Sequence, residues 1–185
     1  MLVFSDCKGS LFLSVRQIFI VILLAMSVFR SNFEVKIQNM EDFVHLHVHT
    51  HYSILDGQSK VPHLVDKAIK DGMKGMAITD HGVMYGIKEF SDYCAKVNAG
   101  RKKEGLDPFK PIFGCEMYVA RHRKEDKVKK DGDMSGYHLI VLAKNYHGYK
   151  NLIKLVSRAW VDGYYNRPRT DRADLEKYHE DLIVC

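Results

Sequence analysis

Four of the chain's ten histidines fall within the stretch "FVHLHVHTHYSILDG", at positions 45, 47, 49 and 51. His47 and His49 are two residues apart in an extended, alternating pattern. That places both rings on one strand face, with Cα atoms roughly 6.5–7 Å apart. Two imidazoles so spaced reach one metal ion or two neighbouring ions. Thr, Lys or Glu would serve a solvated strand face equally well, so metal binding is the stronger reading of this spacing. Further donors follow along the chain. Asp56 lies in the loop after the histidines, Asp80 and His81 follow the short apolar run "MAIT", Glu116 lies late in "PIFGCEMYVA", and His138 opens "YHLIVLA".

Several histidines with Asp and Glu suit Zn²⁺, Mn²⁺ or Fe²⁺. A carboxylate can bridge two ions, and ions ~3.5–4 Å apart clamp a phosphoryl group and make hydroxide available near neutral pH. The matching reaction class is hydrolysis of a phosphate ester. No Ser–His–Asp arrangement competes with it, and the G-x-G-x-x-G and GKT loops of nucleotide binders are absent. Singly, each donor has an ordinary structural role: His81 in a turn capped by Asp80, Glu116 on a strand surface, His138 in a core. Their weight is collective. His45 ranks below its neighbours, and His51, His63, His122, His147 and His179 are assigned to surfaces and turns.

The elements that must bring these donors together follow from periodicity. Residues 43–49 alternate strictly, with Val44, Leu46 and Val48 on one face, and predict a strand. Val61, Leu64, Val65, Ala68 and Ile69 have helical spacing, and Gly72 ends the run. Residues 76–79 predict a short buried strand, and Ile87, Phe90, Cys94 and Val97 a helix. "PIFGCEMYVA" and "YHLIVLA" predict strands, separated by a basic loop over 121–136. "YHGYKNLIKLVSRAW" predicts a helix with Asn145 as N-cap. A short helix from Asp171 and a strand at "LIVC" complete the series. Strands alternating with helices indicate an α/β fold with a largely parallel sheet, a barrel ahead of a doubly wound sheet. In such folds the C-terminal strand ends share one rim, where sites are built. His49, Asp56, His81 and Glu116 meet there naturally. His138 lies near a strand start and reaches that rim only on an antiparallel strand.

Composition adds bounds. The 185 residues suffice for one domain with a sizeable core plus an extra segment. The net charge of +5 is mild. It is concentrated between Lys96 and Lys130, where eleven Lys or Arg stand against five Asp or Glu, a pattern that a solvated loop face accounts for more readily than an anionic partner. Cys7, Cys94, Cys115 and Cys185 are widely spaced without a CxxC pair, against a disulfide framework or zinc ribbon and in keeping with a reducing, cytoplasmic setting. Residues 1–39 read differently. The apolar run at 18–29 is shorter than the ~20 residues that span a bilayer, so this segment is expected to be an N-terminal extension, signal-like or derived from an upstream start, with the working domain beginning at Met40. In "GYYNRPRTD", Tyr164, Tyr165, Arg167 and Arg169 mix aromatic and basic side chains, suited to nucleic acid or to packing.

Together, "HLHVHT", "SILDG", "AITDHGVMYGIKEF", "KPIFGCEMYVA", "YHLIVLAKNYHGYKNLIKLVSRAW" and "GYYNRPRTD" resemble the N-terminal polymerase-and-histidinol-phosphatase (PHP) domain of bacterial replicative DNA polymerases of the polymerase III alpha type. The resemblance covers Met40 to Cys185. It implies a distorted seven-stranded (β/α) TIM-like barrel holding two or three divalent ions (Zn, Mn or Fe) on His47, His49, Asp56, His81, Glu116 and His138, with His47, His49 and Glu116 at the catalytic centre. It further implies a metal-dependent phosphoesterase of 3′–5′ exonuclease type, with primer–template DNA, the remaining polymerase domains and replisome subunits including a proofreading exonuclease as partners, and no membrane. The family's later ligands and its nucleotide-adding domains lie beyond Cys185, so the expected domain is incomplete and inactive alone. Two alternatives carry different expectations: a non-catalytic scaffold that docks a proofreading exonuclease, and a free-standing PHP phosphatase.

Overall fold

The computed structural model describes residues 43–127 and 136–185. The expected extension at 1–39 and part of the basic loop lie outside the described residues. The elements are helix α1 (Val61–Lys70), strand β1 (Gly75–Ile78), helix α2 (Ile87–Lys103), strands β2 (Lys110–Val119) and β3 (Tyr137–Ala143), helix α3 (Tyr146–Val161), strands β4 (Tyr164–Tyr165) and β5 (Arg167–Thr170), helix α4 (Arg172–Tyr178) and strand β6 (Leu182–Val184).

Local chemistry sets most boundaries. Pro62 sits in the first turn of α1, where its missing N–H costs nothing, and Val61, Val65 and Ala68 form the buried stripe. The Asn145 side chain accepts the Gly148 N–H at 3.0 Å and caps α3, as its sequence position predicts. Asp171 does the same for α4 through the Asp174 N–H at 3.0 Å.

The sheet is mixed, which corrects the expectation of a largely parallel one. Its order is β4–β5–β2–β3–β6, with β1 also on β2. The β1–β2 and β2–β5 pairs are parallel; β2–β3, β3–β6 and β4–β5 are antiparallel. Among the described residues, the connection between β2 and β3 contains no helix of the kind that carries a chain across to a parallel neighbour. Strand β2 is the spine. Residues 110–113 pair with β1, residues 118–119 with β5, and its other edge with β3.

The regular strand expected at 43–49 is also corrected. The segment lies beside β1, but its contacts are irregular. Ala77 N–H donates to His45 O and Thr79 N–H to Val48 O, both at 2.8 Å. The bonded positions advance by three residues on one side and two on the other, which leaves the one extra residue of a bulge. Val48 N–H turns to the Thr79 hydroxyl at 2.9 Å instead of a backbone carbonyl. Strict alternation is lost, and Leu46 is left 40% exposed.

Two of three buried clusters pack helices onto the sheet, the third being Ala77, Ile140 and Leu142. One joins Val61 and Val65 of α1, Met76 and Ile78 of β1, and Ile87 and Phe90 of α2. The other packs Leu152, Leu155 and Ala159 of α3 onto Cys115, Met117 and Val141 of the sheet. Residues on β2 alternate. Cys115 and Met117 therefore fix one face to α3 and leave Glu116 and Tyr118 on the opposite face.

Candidate metal centre

Glu116 is the hub. It lies on β2 between the stretch paired with β1 and the stretch paired with β5. The chain leaving β1 forms a parallel bridge with it, His81 opposite Glu116. Gly82 N–H donates to Glu116 O at 2.8 Å, and Glu116 N–H to Asp80 O at 3.1 Å. Gly82 has φ +62°, and a Cβ there would meet the Pro168 ring at 2.6 Å, so the turn after His81 requires glycine. His138 comes in from β3, whose antiparallel register sets it opposite Tyr118. The antiparallel strand that His138 needs is present.

The side chains converge on both Glu116 oxygens. Oε2 lies 2.7 Å from His47 Nε2 and 3.3 Å from His49 Nε2. Oε1 lies 2.7 Å from His81 Nδ1 and 3.2 Å from His138 Nδ1. Asp56 reaches the outer nitrogen of His81, Nε2, at 2.9 Å. His47 and His49 meet through their Nε2 atoms at 3.0 Å, and the His49 ring stacks on His81 at 3.9 Å. The Glu116 side chain is 2% exposed, while Asp56 stands at the solvent side of the cluster. All six sequence-predicted donors are therefore brought together. His45 is not among them; its ring turns against Phe43.

The electrostatics follow this arrangement. Burial alone would raise the Glu116 carboxyl, but hydrogen bonds with His81 and His47 and the nearby charge of His81 and His138 hold it below its ordinary value. Burial also works against charge on His81, yet its contacts with Asp56 and Glu116 prevail and raise it. His49 is lowered by burial and then by the neighbouring His81. Asp56 is lowered by its hydrogen bond to His81.

A second layer was legible in sequence only as a helix-entry turn. Asp80 is 2% exposed and is no member of the cluster. Its Oδ1 accepts Thr50 N–H at 2.6 Å and the Ser53 hydroxyl at 2.8 Å, and its Oδ2 accepts the Thr50 hydroxyl at 2.9 Å. Asp80 thus ties the loop bearing Asp56 to the end of β1. At Gly57, a Cβ would lie 1.9 Å from Thr50 O, so the tight return of that loop excludes any side chain. Tyr118 is another residue that periodicity did not single out. Its ring lies edge-on to His138 at 5.0 Å, centroid to centroid.

"GYYNRPRTD" divides into two roles. Arg169 is 1% exposed and donates to the carbonyls of Lys124 and Asp126 at 3.0 and 3.1 Å, fastening the loop after β2. Arg167 is exposed on the rim and donates to the Tyr118 hydroxyl at 2.6 Å.

The donor set fits divalent cations. His47, His49 and Glu116 each offer a ligand atom, all within 4.8 Å of one another. Imidazole with carboxylate is the chemistry of Zn²⁺, Mn²⁺ and Fe²⁺ sites. Among the described residues, no helix is long and apolar enough to cross a membrane.

Comparison with known proteins agrees with this geometry. The PHP domain model matches residues 45–185. The chain is 47% identical over 141 residues to a DNA polymerase III subunit alpha of Borreliella burgdorferi, covering 76% of this chain and 11% of that protein. The counterpart in Treponema pallidum is 44% identical over 141 residues, with the same coverage. That of Aquifex aeolicus is 43% identical over 149 residues, 78% of this chain and 12% of that protein. The chain thus spans 11–12% of the length of these relatives. A solved structure from Bifidobacterium adolescentis aligns at 21% identity and a TM-score of 0.36, over 63% of this chain and 32% of its own. The matched model, spanning every residue of the cluster, shows that this chain belongs to the PHP domain family.

Proposed function

We propose that residues 40–185 form a metal-dependent phosphoesterase unit of the DNA polymerase III alpha type, acting on phosphodiesters as a 3′–5′ exonuclease. The observation that carries this reading is the meeting of His47, His49, His81 and His138 on the two oxygens of one buried carboxylate. Glu116 lies between the His47/His49 pair and the His81/His138 pair, and together these residues would hold the cations. Asp56 supplies a further oxygen at the open side, and the Asp80 network holds its loop in register. Two or three divalent cations, when bound there, supply Lewis acidity to a phosphoryl oxygen and acidify water. The histidines hold their nitrogens toward that position through ring stacking and the carboxylate. His81, with both ring nitrogens engaged, is fixed in orientation by Asp56 on one side and Glu116 on the other.

The reading includes a distorted (β/α)7 barrel, supported by the parallel β1–β2 pair and by the gathering of donors at one end of β2. It brings with it the activity of a replicative DNA-directed DNA polymerase in the full protein, with primer–template DNA, the other polymerase domains and replisome subunits including a proofreading exonuclease as partners. It also brings a cytoplasmic setting, in keeping with the buried free thiols of Cys94 and Cys115.

The test is metal analysis and DNA degradation by the full-length protein carrying this domain. Stoichiometric Zn, Mn or Fe, with shortening of the 3′ strand of primed DNA that stops with chelator and with Glu116→Ala, is the expected result. Metal-free protein and unaltered DNA would leave a scaffold.

A further inference from the structure

Beside the metal centre lies a surface that the cluster does not use. Trp160 at the end of α3 and Tyr164 of β4 stack at 5.5 Å with their planes 20° apart, and both remain more than 40% exposed. The pair is anchored to the site: the indole N–H of Trp160 donates to Gly82 O at 2.8 Å, one residue from His81. Arg167 stands on the same β4–β5 hairpin. Its guanidinium lies 4.9 Å from the centroid of Tyr118, the ring that contacts His138 at 5.0 Å and His81 at 6.5 Å. Arg167 is thus one aromatic ring removed from two of the clustered histidines. Among the described residues no carboxylate pairs with it, and its hydrogen bond is to a neutral phenol.

An exposed aromatic stack beside an unneutralised guanidinium suits a base with a neighbouring phosphate. A small phosphate ester centred on Glu116 has no use for either. We propose that Trp160, Tyr164 and Arg167 form a subsite for single-stranded nucleic acid, with a base on the aromatic pair and Arg167 on a phosphate other than the one at the metal centre. The direction in which the strand enters rests on the phosphoesterase reading of the cluster; the subsite itself does not. The Arg169 anchor supports this division of labour. It is buried in backbone contacts and holds the hairpin, which leaves Arg167 free of that task.

Trp160 is the only tryptophan in the chain, so its fluorescence reports on the stack without interference. The experiment titrates the full chain with an oligothymidylate of eight nucleotides, in EDTA and again with Mn²⁺. Quenching of Trp160 is expected in both. Arg167→Gln is expected to weaken the titration about tenfold and to lower the salt slope by about 0.7, the share of one single-strand phosphate. Tyr164→Ala is expected to weaken it by roughly fivefold or more, and Arg167→Lys to recover most of the loss. Absence of quenching, quenching unchanged in Arg167→Gln, or equal quenching by inorganic phosphate alone would overturn the subsite and leave this face to protein packing. The two readings separate cleanly. Quenching by this chain keeps the subsite even where the full-length protein leaves primed DNA intact, which removes only the phosphoesterase; hydrolysis by the full-length protein without quenching here removes only the subsite.

Discussion

His81 Nδ1 lies 2.7 Å from Glu116 Oε1, and the backbones of these two residues, 35 positions apart, form a parallel bridge with each other. Side-chain contact and sheet register are therefore one feature. Glu116→Gln preserves size but removes the charge that four histidines surround. Loss of at least one bound ion and a roughly 100-fold or greater fall in phosphodiester hydrolysis are expected, with folding retained. Metal analysis beside circular dichroism checks this.

The difference between His138 and His45 is a sharper probe, because His138 joins the cluster from far along the chain while His45, two residues from His47, does not. His138→Ala is expected to lower metal affinity about 10- to 100-fold. His45→Ala is expected to leave it unchanged, since that ring packs on Phe43 and stands outside the cluster. Competition with a fluorescent chelator measures both.

Asp80 predicts a stability effect rather than a ligand effect. Asp80→Ala strands the Thr50 N–H and the Thr50 and Ser53 hydroxyls in a buried position, a loss of about 2–4 kcal/mol. Urea denaturation of the metal-free chain isolates this from metal binding. A change below about 0.5 kcal/mol would remove the structural role assigned to the network.

Asp171 gives the pH dependence. Burial favours its neutral form, but the N–H groups of Asp174 and Lys124 and the charges of Lys124 and Arg123 prevail and hold the carboxyl below its ordinary value. A carboxyl lowered on folding contributes fully above its unfolded pKa of ~3.9, and that contribution disappears as pH falls through the folded value. Asp171→Asn keeps a competent cap for α4 but removes the charge. Its stability is expected to be lower than that of the parent at neutral pH and to converge with it as pH falls below ~4. Thermal melts across pH 2–7 test this.

That His47, His49, Asp56, His81, Glu116 and His138 cluster was legible because metal chemistry restricts residue type and because such side chains gather at one rim of an α/β sheet. Helices α1, α2 and α3 were legible from apolar spacing and the Asn145 cap. Two things were not. Alternation at 43–49 cannot reveal that Thr79 offers a hydroxyl where the ladder would offer a carbonyl. Nor can it reveal strand direction: "YHLIVLA" reads the same either way, and the antiparallel sense shows only in the register that sets His138 opposite Tyr118. Asp80 was hidden for a third reason, since its partners Thr50 and Ser53 lie about 30 residues away and no local pattern links them.

The position of Glu116 on β2 has a consequence for the order of assembly. Its neighbours arrive from β1 before it and from β3 and β5 after it, so long loops must close before Glu116 meets any of its histidines. During synthesis the site stays unformed until residue 138 has emerged and paired. Cation uptake should therefore lag behind early helix formation and mark the moment when the sheet is knit together.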